Sequence, residues 1–270
     1  MSSTGAERIA EAFASARADG RAAALMPYMM GGYPDLPTSL ALGFAYADGG
    51  ADLIELGVPF SDPLADGPVI HAAATAALGN GATVAAVLEI GRALALRLPV
   101  VLMCYANPIF ARGLERFLDA LVAASISGLI VPDLPLEEAH EALEACDERG
   151  LALVPLVAPT TPEARLRAIG GQARGFLYAV SLTGTTGERA NVDGGLRELV
   201  ARAAAHTEVP VAVGFGIGTA EQAAAAAAAG ADGVIIGSRL VRAAGEEDPV
   251  PAVSDLISGF SAALRTPPLG

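Results

Sequence analysis

The sequence predicts an α/β fold, a parallel (β/α)8 TIM barrel with an extra helix at its N-terminus. Short apolar runs alternate with Ala-rich helical stretches along the whole chain. Strict β-α alternation of this kind builds a parallel sheet. The runs number eight, the count that closes into a barrel. The two kinds of junction also differ. Gly, Pro and Asp gather after the runs, while the returns from helix to run are tight, as at Leu98-Pro99, Arg149-Gly150 and Gly230-Ala231. That asymmetry belongs to a barrel carrying its chemistry on its C-terminal face.

In chain order, residues Met1 to Gly20 read as a surface helix. Thr4 and Glu7 form a capping box, and Ile9, Phe13 and Ala16 recur at helical spacing. The eight runs are Leu25–Met30, Leu53–Leu56, Val100–Cys104, Leu129–Val131, Leu151–Val157, Phe176–Val180, Val211–Val213 and Gly233–Ile236. Between them, helical periodicity covers Pro37–Asp48, Thr83–Leu96, Leu114–Ala124, Leu136–Arg149, Thr161–Ile169, Gly194–Ala205 and Thr219–Ala229. The alanine run 223–229 is a strong helix former inside one unit. No linker composition divides the chain, so residues 1–270 read as one domain. Alternation does not reveal closure, and an open doubly wound sheet fits the same pattern.

Composition narrows the chemistry. Of 270 residues, 53% are hydrophobic and 17% charged, which suits buried strands wrapped by helices. No apolar stretch reaches the ~20 residues of a membrane crossing. A net charge of −13 repels nucleic acid and acidic lipid surfaces. All seventeen basic residues are arginine. Schiff-base aldolase chemistry, lysine-bound pyridoxal phosphate and Walker-type nucleotide sites all need an amine that is absent. Cys104 and Cys146 match no metal or redox spacing and read as buried free thiols of a cytoplasmic protein. His71, His140 and His206 are too scattered for a ligand set, so no metal is expected.

Two carboxylates stand out. In Asp52-Leu-Ile-Glu-Leu56, alternation puts Ile54 and Leu56 on one face and Leu53 and Glu55 on the other. If the aliphatic pair meets helices, Glu55 points into the barrel, where apolar walls raise a carboxyl towards the range useful for proton transfer. A Glu held by an Arg or a loop N–H is the plainer alternative. The loop 57–67 that follows carries Asp62 and Asp66, and spacing alone does not choose between them, since Asp before Gly is commonly a turn or cap. Gly214-Phe215-Gly216 and Gly237-Ser238 follow the last two runs, where barrels hold phosphate on main-chain N–H groups. Glycines there also serve turns. Tyr178 offers a hydroxyl near the end of the sixth run or is a core aromatic. Asp133 stands at a strand end, placed to orient Glu55 or a loop. The polar, glycine-rich stretch Ser181–Asn191 suits a lid or an unstructured surface loop.

The segment Glu55-Leu-Gly-Val-Pro-Phe-Ser-Asp-Pro-Leu-Ala-Asp-Gly-Pro68 resembles the long signature of tryptophan synthase alpha subunits. So do Gly32-Tyr-Pro-Asp35, Leu102-Met-Cys-Tyr-Ala-Asn-Pro108, Pro132-Asp-Leu-Pro-Leu-Glu-Glu138, Gly184-Thr-Thr-Gly187, Gly214-Phe-Gly-Ile217 and Gly237-Ser238, in order along the chain. The resemblance implies retro-aldol cleavage of indole-3-glycerol phosphate to indole and glyceraldehyde 3-phosphate. It makes Glu55 the proton shuttle and Asp66 the group holding the indole N–H. It adds Gly184 to the phosphate cradle and places a Tyr at Tyr178, beside the substrate; in the barrel, Tyr28, Leu102 and Leu129 form the indole wall, and Thr186 is the hinge of the lid to Asp66. It implies no cofactor in this chain. Pyridoxal phosphate belongs to the beta subunit expected as partner in an αββα heterotetramer.

The sequence departs from the family at Leu182, Thr185, Gly218 and Gly31, positions that bear on lid closure and on coupling to a partner. Two readings compete: a lyase that works alone, and a non-catalytic scaffold for the beta subunit. Another phosphate-binding barrel, such as a sugar-phosphate isomerase or epimerase, would share the glycine cradle but lacks its usual metal-binding histidines.

Overall fold

The computed structural model describes residues 3–180, 189–214 and 216–265, with 189–194 as backbone only. Nine parallel strands form one sheet: β1 (Ala24–Met30), β2 (Ile54–Gly57), β3 (Val100–Met103), β4 (Gly128–Ile130), β5 (Ala152–Val154), β6 (Leu156–Val157), β7 (Leu177–Val180), β8 (Val211–Gly214) and β9 (Gly233–Ile236). Their order is β5-β4-β3-β2-β1-β9-β8-β7-β6. The two ends of that order, β5 and β6, adjoin in the chain across Pro155, so the sheet curls back on itself into a nearly closed barrel. The fifth predicted run is therefore one strand interrupted at Pro155, a residue without an N–H to give to a ladder.

Helices wrap the barrel: α1 (Gly5–Ala18), α2 (Leu36–Asp48), α3 (Pro68–Gly79), α4 (Val84–Leu94), α5 (Ala106–Arg112), α6 (Leu114–Ala123), α7 (His140–Glu148), α8 (Glu163–Gln172), α9 (Arg189–Ala204), α10 (Ala220–Ala228), α11 (Ser238–Ala243) and α12 (Pro249–Ala263). Several start where a side chain caps them: Asp35 accepts from Thr38 N, Thr83 from Ala86 N and Thr219 from Gln222 N. Such caps satisfy N–H groups that have no partner inside the helix. The predicted helix over Leu136–Arg149 is instead a 3-10 turn (Leu136–Glu138) followed by α7.

Alternation along the strands divides the core into two layers. Leu25, Ile54, Leu56, Val100, Leu102, Leu129, Val213 and Val234 pack with the helices. Met26, Tyr28, Leu53, Val101, Ile130, Val154, Tyr178, Ala212 and Ile235 fill the barrel.

The first helix is a surface helix whose buried face also serves as a plug. Its capping box at Thr4 and Glu7 forms as predicted. Its face of Ile9, Phe13 and Ala16 is at most 2% exposed, because it seals the N-terminal mouth of the barrel. The Phe13 ring lies 6.0 Å from that of Phe176. A Cβ at Gly233 would come within 2.9 Å of Phe13 and 2.6 Å of Met26, so the glycine makes room for the plug.

Candidate active site

At the opposite mouth the sequence gathers its acids. Parallel register sets Tyr28 beside Glu55 and Glu55 beside Val101. Ile54 and Leu56 face the helices, so the intervening Glu55 must face the barrel interior. Glu55 is 1% exposed, and its Oε2 has no hydrogen-bond partner. Burial first, and the charge of Asp66 second, push its carboxyl up to about 8. A carboxyl tuned to that range can both give and take a proton near neutral pH.

Asp66 stands in the loop after β2 and is half-buried, whereas Asp62 is exposed and receives a hydrogen bond from Ser61. The Tyr105 hydroxyl donates to Asp66 Oδ1 at 2.9 Å and accepts from Ala65 N at 3.0 Å. Tyr105 itself is held against Phe60, ring to ring at 5.4 Å. Burial raises the Asp66 carboxyl, while Tyr105 and then His71 pull it down. The two acids thus differ in kind: Glu55 is enclosed with a bare oxygen, and Asp66 is half-buried and anchored by a hydroxyl.

Two tyrosines complete the inner wall. Tyr28 and Tyr178 are both buried, and burial raises both phenols well above their ordinary value. Their hydroxyls lean over glycines: a Cβ at Gly57 would sit 2.2 Å from the Tyr28 hydroxyl, and one at Gly214 2.4 Å from that of Tyr178. Gly57 and Gly214 leave the space those rings need.

The wall expected from Leu102 and Leu129 is shifted by one residue. Both leucines belong to the layer between strands and helices, because their register neighbours Val101, Met103 and Ile130 take the inward positions. Met103 and Ile130 therefore face the mouth. Asp133 accepts from Ala106 N at 2.9 Å and so fixes the start of α5; it anchors a loop.

On the far side of the mouth, Gly214 ends β8. Gly216 adopts φ 78°, a left-handed conformation that favours glycine, and Gly237 precedes Ser238 at the first turn of α11. Gly184, Thr186, Phe215 and the predicted lid up to Glu188 lie outside the described residues, as do Leu182 and Thr185; from Arg189 the backbone is already α9. A cavity of about 450 Å³ opens beside β5 and β6, between Asp133, Leu136, Leu156 and Arg165. Neither carboxylate lines it. Among the described residues no group of three or more His, Cys, Asp or Glu side chains is placed to hold a metal ion.

The family model for the tryptophan synthase alpha chain matches residues 13–256. The chain belongs to the tryptophan synthase alpha-chain family. That family cleaves indole-3-glycerol phosphate to indole and glyceraldehyde 3-phosphate, a lyase reaction. A tryptophan synthase alpha chain from Prochlorococcus marinus (strain MIT 9313) is 48% identical over 239 residues, 87% of this chain and 86% of the relative. Another, from Synechococcus elongatus, is 46% identical and spans 97% of this chain and 98% of its own length. Among solved structures, a tryptophan synthase chain from Mycobacterium tuberculosis superposes with a TM-score of 0.89 at 40% identity, covering 98% of this chain and all of that one. The alpha subunit from Legionella pneumophila gives 0.86 at 35% identity, over 95% and 98%.

Two departures from the family's pattern have a local setting. A Cβ at Gly31 would meet the Val87 methyls at 2.7 and 2.8 Å, so the glycine accompanies close packing of α4. Among the described residues a Cβ at Gly218 would meet only the Gln222 oxygen, at 3.8 Å, so there is room for one there. Sequence reasoning missed Tyr105 as the partner of Asp66. Its signal was present, since Tyr105 follows the third run within the quoted motif around Asn107.

Proposed function

We propose that Glu55 and Asp66 cleave indole-3-glycerol phosphate as an acid-base pair. Glu55 starts protonated and donates to C3 of the indole. Asp66 accepts the indole N–H and stabilises the positive charge that builds on the ring nitrogen. The Glu55 carboxylate then takes the proton of the glycerol hydroxyl as the carbon-carbon bond breaks, which releases indole and the aldehyde and restores the neutral acid. The observation that carries this reading is the buried Glu55 oxygen without a partner, in a carboxyl raised to about 8 beside a second, anchored carboxylate.

The indole packs against Tyr28, Met103 and Ile130, with Tyr178 alongside. The phosphate binds main-chain N–H groups around Gly214, Gly216, Gly237 and Ser238, a mode that needs no lysine and tolerates an acidic protein. Gly184, Phe215 and Thr186 join the site by resemblance alone. The chain needs no cofactor of its own. Its partner is a beta subunit in an αββα heterotetramer, to which the indole passes, in the cytoplasm. Leu64, 85% exposed in the Asp66 loop, and Phe110, 51% exposed on α5, are apolar groups on this end of the barrel available to that partner.

Indole and glyceraldehyde 3-phosphate are measured with the purified chain, with and without a beta subunit, for wild type, Glu55→Gln and Asp66→Asn. Wild type releases both products and the beta subunit stimulates it. Each substitution lowers kcat by roughly 10²- to 10⁴-fold. Equal activity in Glu55→Gln and wild type would remove Glu55 from the mechanism.

A further inference from the structure

The charge that Glu55 acquires when it gives up its proton has to be met by something. Of the groups around it, Asp66 in the β2 loop and Asp133 after β4 carry the wrong sign for that. His71, at the start of α3, acts on Asp66. The Tyr105 hydroxyl is already engaged on both sides, donating to Asp66 and accepting from Ala65 N. The Tyr178 hydroxyl is also within electrostatic reach of Glu55, but it leans over Gly214 on β8, the phosphate side of the mouth, and not over the Glu55 strand.

Tyr28 is placed differently. It is the direct register partner of Glu55 on the neighbouring strand, so the two side chains leave the sheet side by side into the same interior. Its hydroxyl lies over Gly57, two residues beyond Glu55 on the same strand and on the same inward face. That places it between Glu55 and the loop that carries Asp66. Its backbone is held by the Tyr46 hydroxyl, which donates to Tyr28 O at 3.3 Å. Burial and the two acids keep its phenol protonated, so it is available as a donor.

We propose that Tyr28 is a positioning residue for the proton shuttle: its hydroxyl donates a hydrogen bond to the Glu55 carboxylate after the proton has left for the indole. No proton leaves Tyr28. The bond forms as Glu55 ionises and is released when Glu55 takes the glycerol proton. The reading of Tyr28 as apolar wall is thereby extended, since the ring packs against the indole while the oxygen serves the acid. This inference rests on Glu55 being the shuttle.

The test is the pH dependence of indole release by wild type, Tyr28→Phe and Tyr178→Phe, with a beta subunit present. Glu55 must start protonated, so activity falls as pH rises through its pKa. Removing a donor to the anion raises that pKa and moves the alkaline limb upwards. For Tyr28→Phe, kcat falls about tenfold with KM little changed, and the limb moves up by about one pH unit. Tyr178→Phe moves the limb less than Tyr28→Phe does. A Tyr28→Phe enzyme whose kcat stays within about twofold of wild type, or that changes only KM, overturns the proposal. Should thermal unfolding show that Tyr28→Phe has lost its fold, 3-fluorotyrosine at position 28 decides, because its more acidic hydroxyl moves the limb down if it donates to Glu55 and leaves it unmoved if not. Failure of wild type to release product sinks the shuttle reading and this one together. An active wild type with an inactive Glu55→Gln and an unmoved Tyr28→Phe limb sinks this inference alone.

Discussion

The two mouths of the barrel bury charge in opposite ways. At the N-terminal mouth the acids are matched by neighbours, although Arg21 Nη1 and Ser127 Oγ are buried there without a hydrogen-bond partner. Asp52 and Asp232 accept the N–H groups of Leu25 and Val211, at 2.8 and 2.9 Å, and so tie the loops before β2 and β9 to the adjoining strands. Arg8 donates to the carbonyls of Ala95 and Ser125 at 2.7 and 2.9 Å, fixing α1 across the opening. At the C-terminal mouth Glu55 is more fully enclosed, yet one oxygen meets nothing. A buried polar atom without a partner costs free energy that the rest of the fold must offset. Among the described carboxylates, those of the N-terminal mouth hold backbone N–H groups, and the buried oxygen left bare belongs to the acid placed for proton transfer.

That contrast breaks most sharply at the plug. Phe13→Ala removes a ring 2% exposed between Phe176 and Gly233, and is expected to cost about 3 to 5 kcal/mol in urea unfolding. The indole-releasing activity of the folded fraction should remain near wild type, because the plug lies at the end away from the acids. A variant that loses activity without losing stability would show the two mouths to be coupled.

Glu55→Gln should do the reverse. The folded carboxyl is raised from 4.5 to about 8, so the unfolded chain ionises first as pH rises. Stability relative to the neutral glutamine is unaffected below about pH 4.5 and falls progressively up to about pH 8, where the loss levels off. At pH 7 the glutamine variant should therefore be more stable, on the order of 3 kcal/mol by linkage. The check is the difference in unfolding free energy between variant and wild type from pH 5 to 9. A difference that does not grow with pH would mean that Glu55 is not held neutral by the fold.

The layout of this comparison was legible in the sequence to an uneven degree. Inward placement of Glu55 followed from Ile54 and Leu56 alone, because period-two alternation is strict within a strand. The same rule went unused at Leu102 and Leu129. Each sits one position from an equally apolar neighbour, Met103 or Ile130, and in all-apolar strands buried on both faces composition carries no record of which face is which. The capping box of α1 was legible from Thr4 and Glu7, but its role as a plug was not. A helix with one apolar stripe looks the same whether the stripe covers an outer wall or seals an opening, and only closure of the sheet creates the opening. The break at Pro155 and the pairing of Tyr105 with Asp66 depend likewise on contacts between distant segments.

The smallest expected effect separates two arginines at the N-terminal mouth. Arg21 and Asp52 approach to 3.4 Å with side chains 8% and 13% exposed, and Arg21 Nη1 has no hydrogen-bond partner. Arg17 and Asp232 are closer, at 3.0 Å, but stand 56% and 33% exposed. Distance alone would rank the second pair as the stronger. Solvent reverses that order, because water and salt screen the exposed pair while Arg21 and Asp52 are shielded from both. Arg17→Ala should cost less than about 1 kcal/mol, and that cost should fade at high salt. Arg21→Ala should cost more, since it leaves Asp52 with the Leu25 N–H but without its cation in a site where burial already pushes its carboxyl upwards. Urea unfolding at low and high salt measures both, and a larger loss from Arg17 than from Arg21 would mean that this mouth is held by its rim and not by its buried pair.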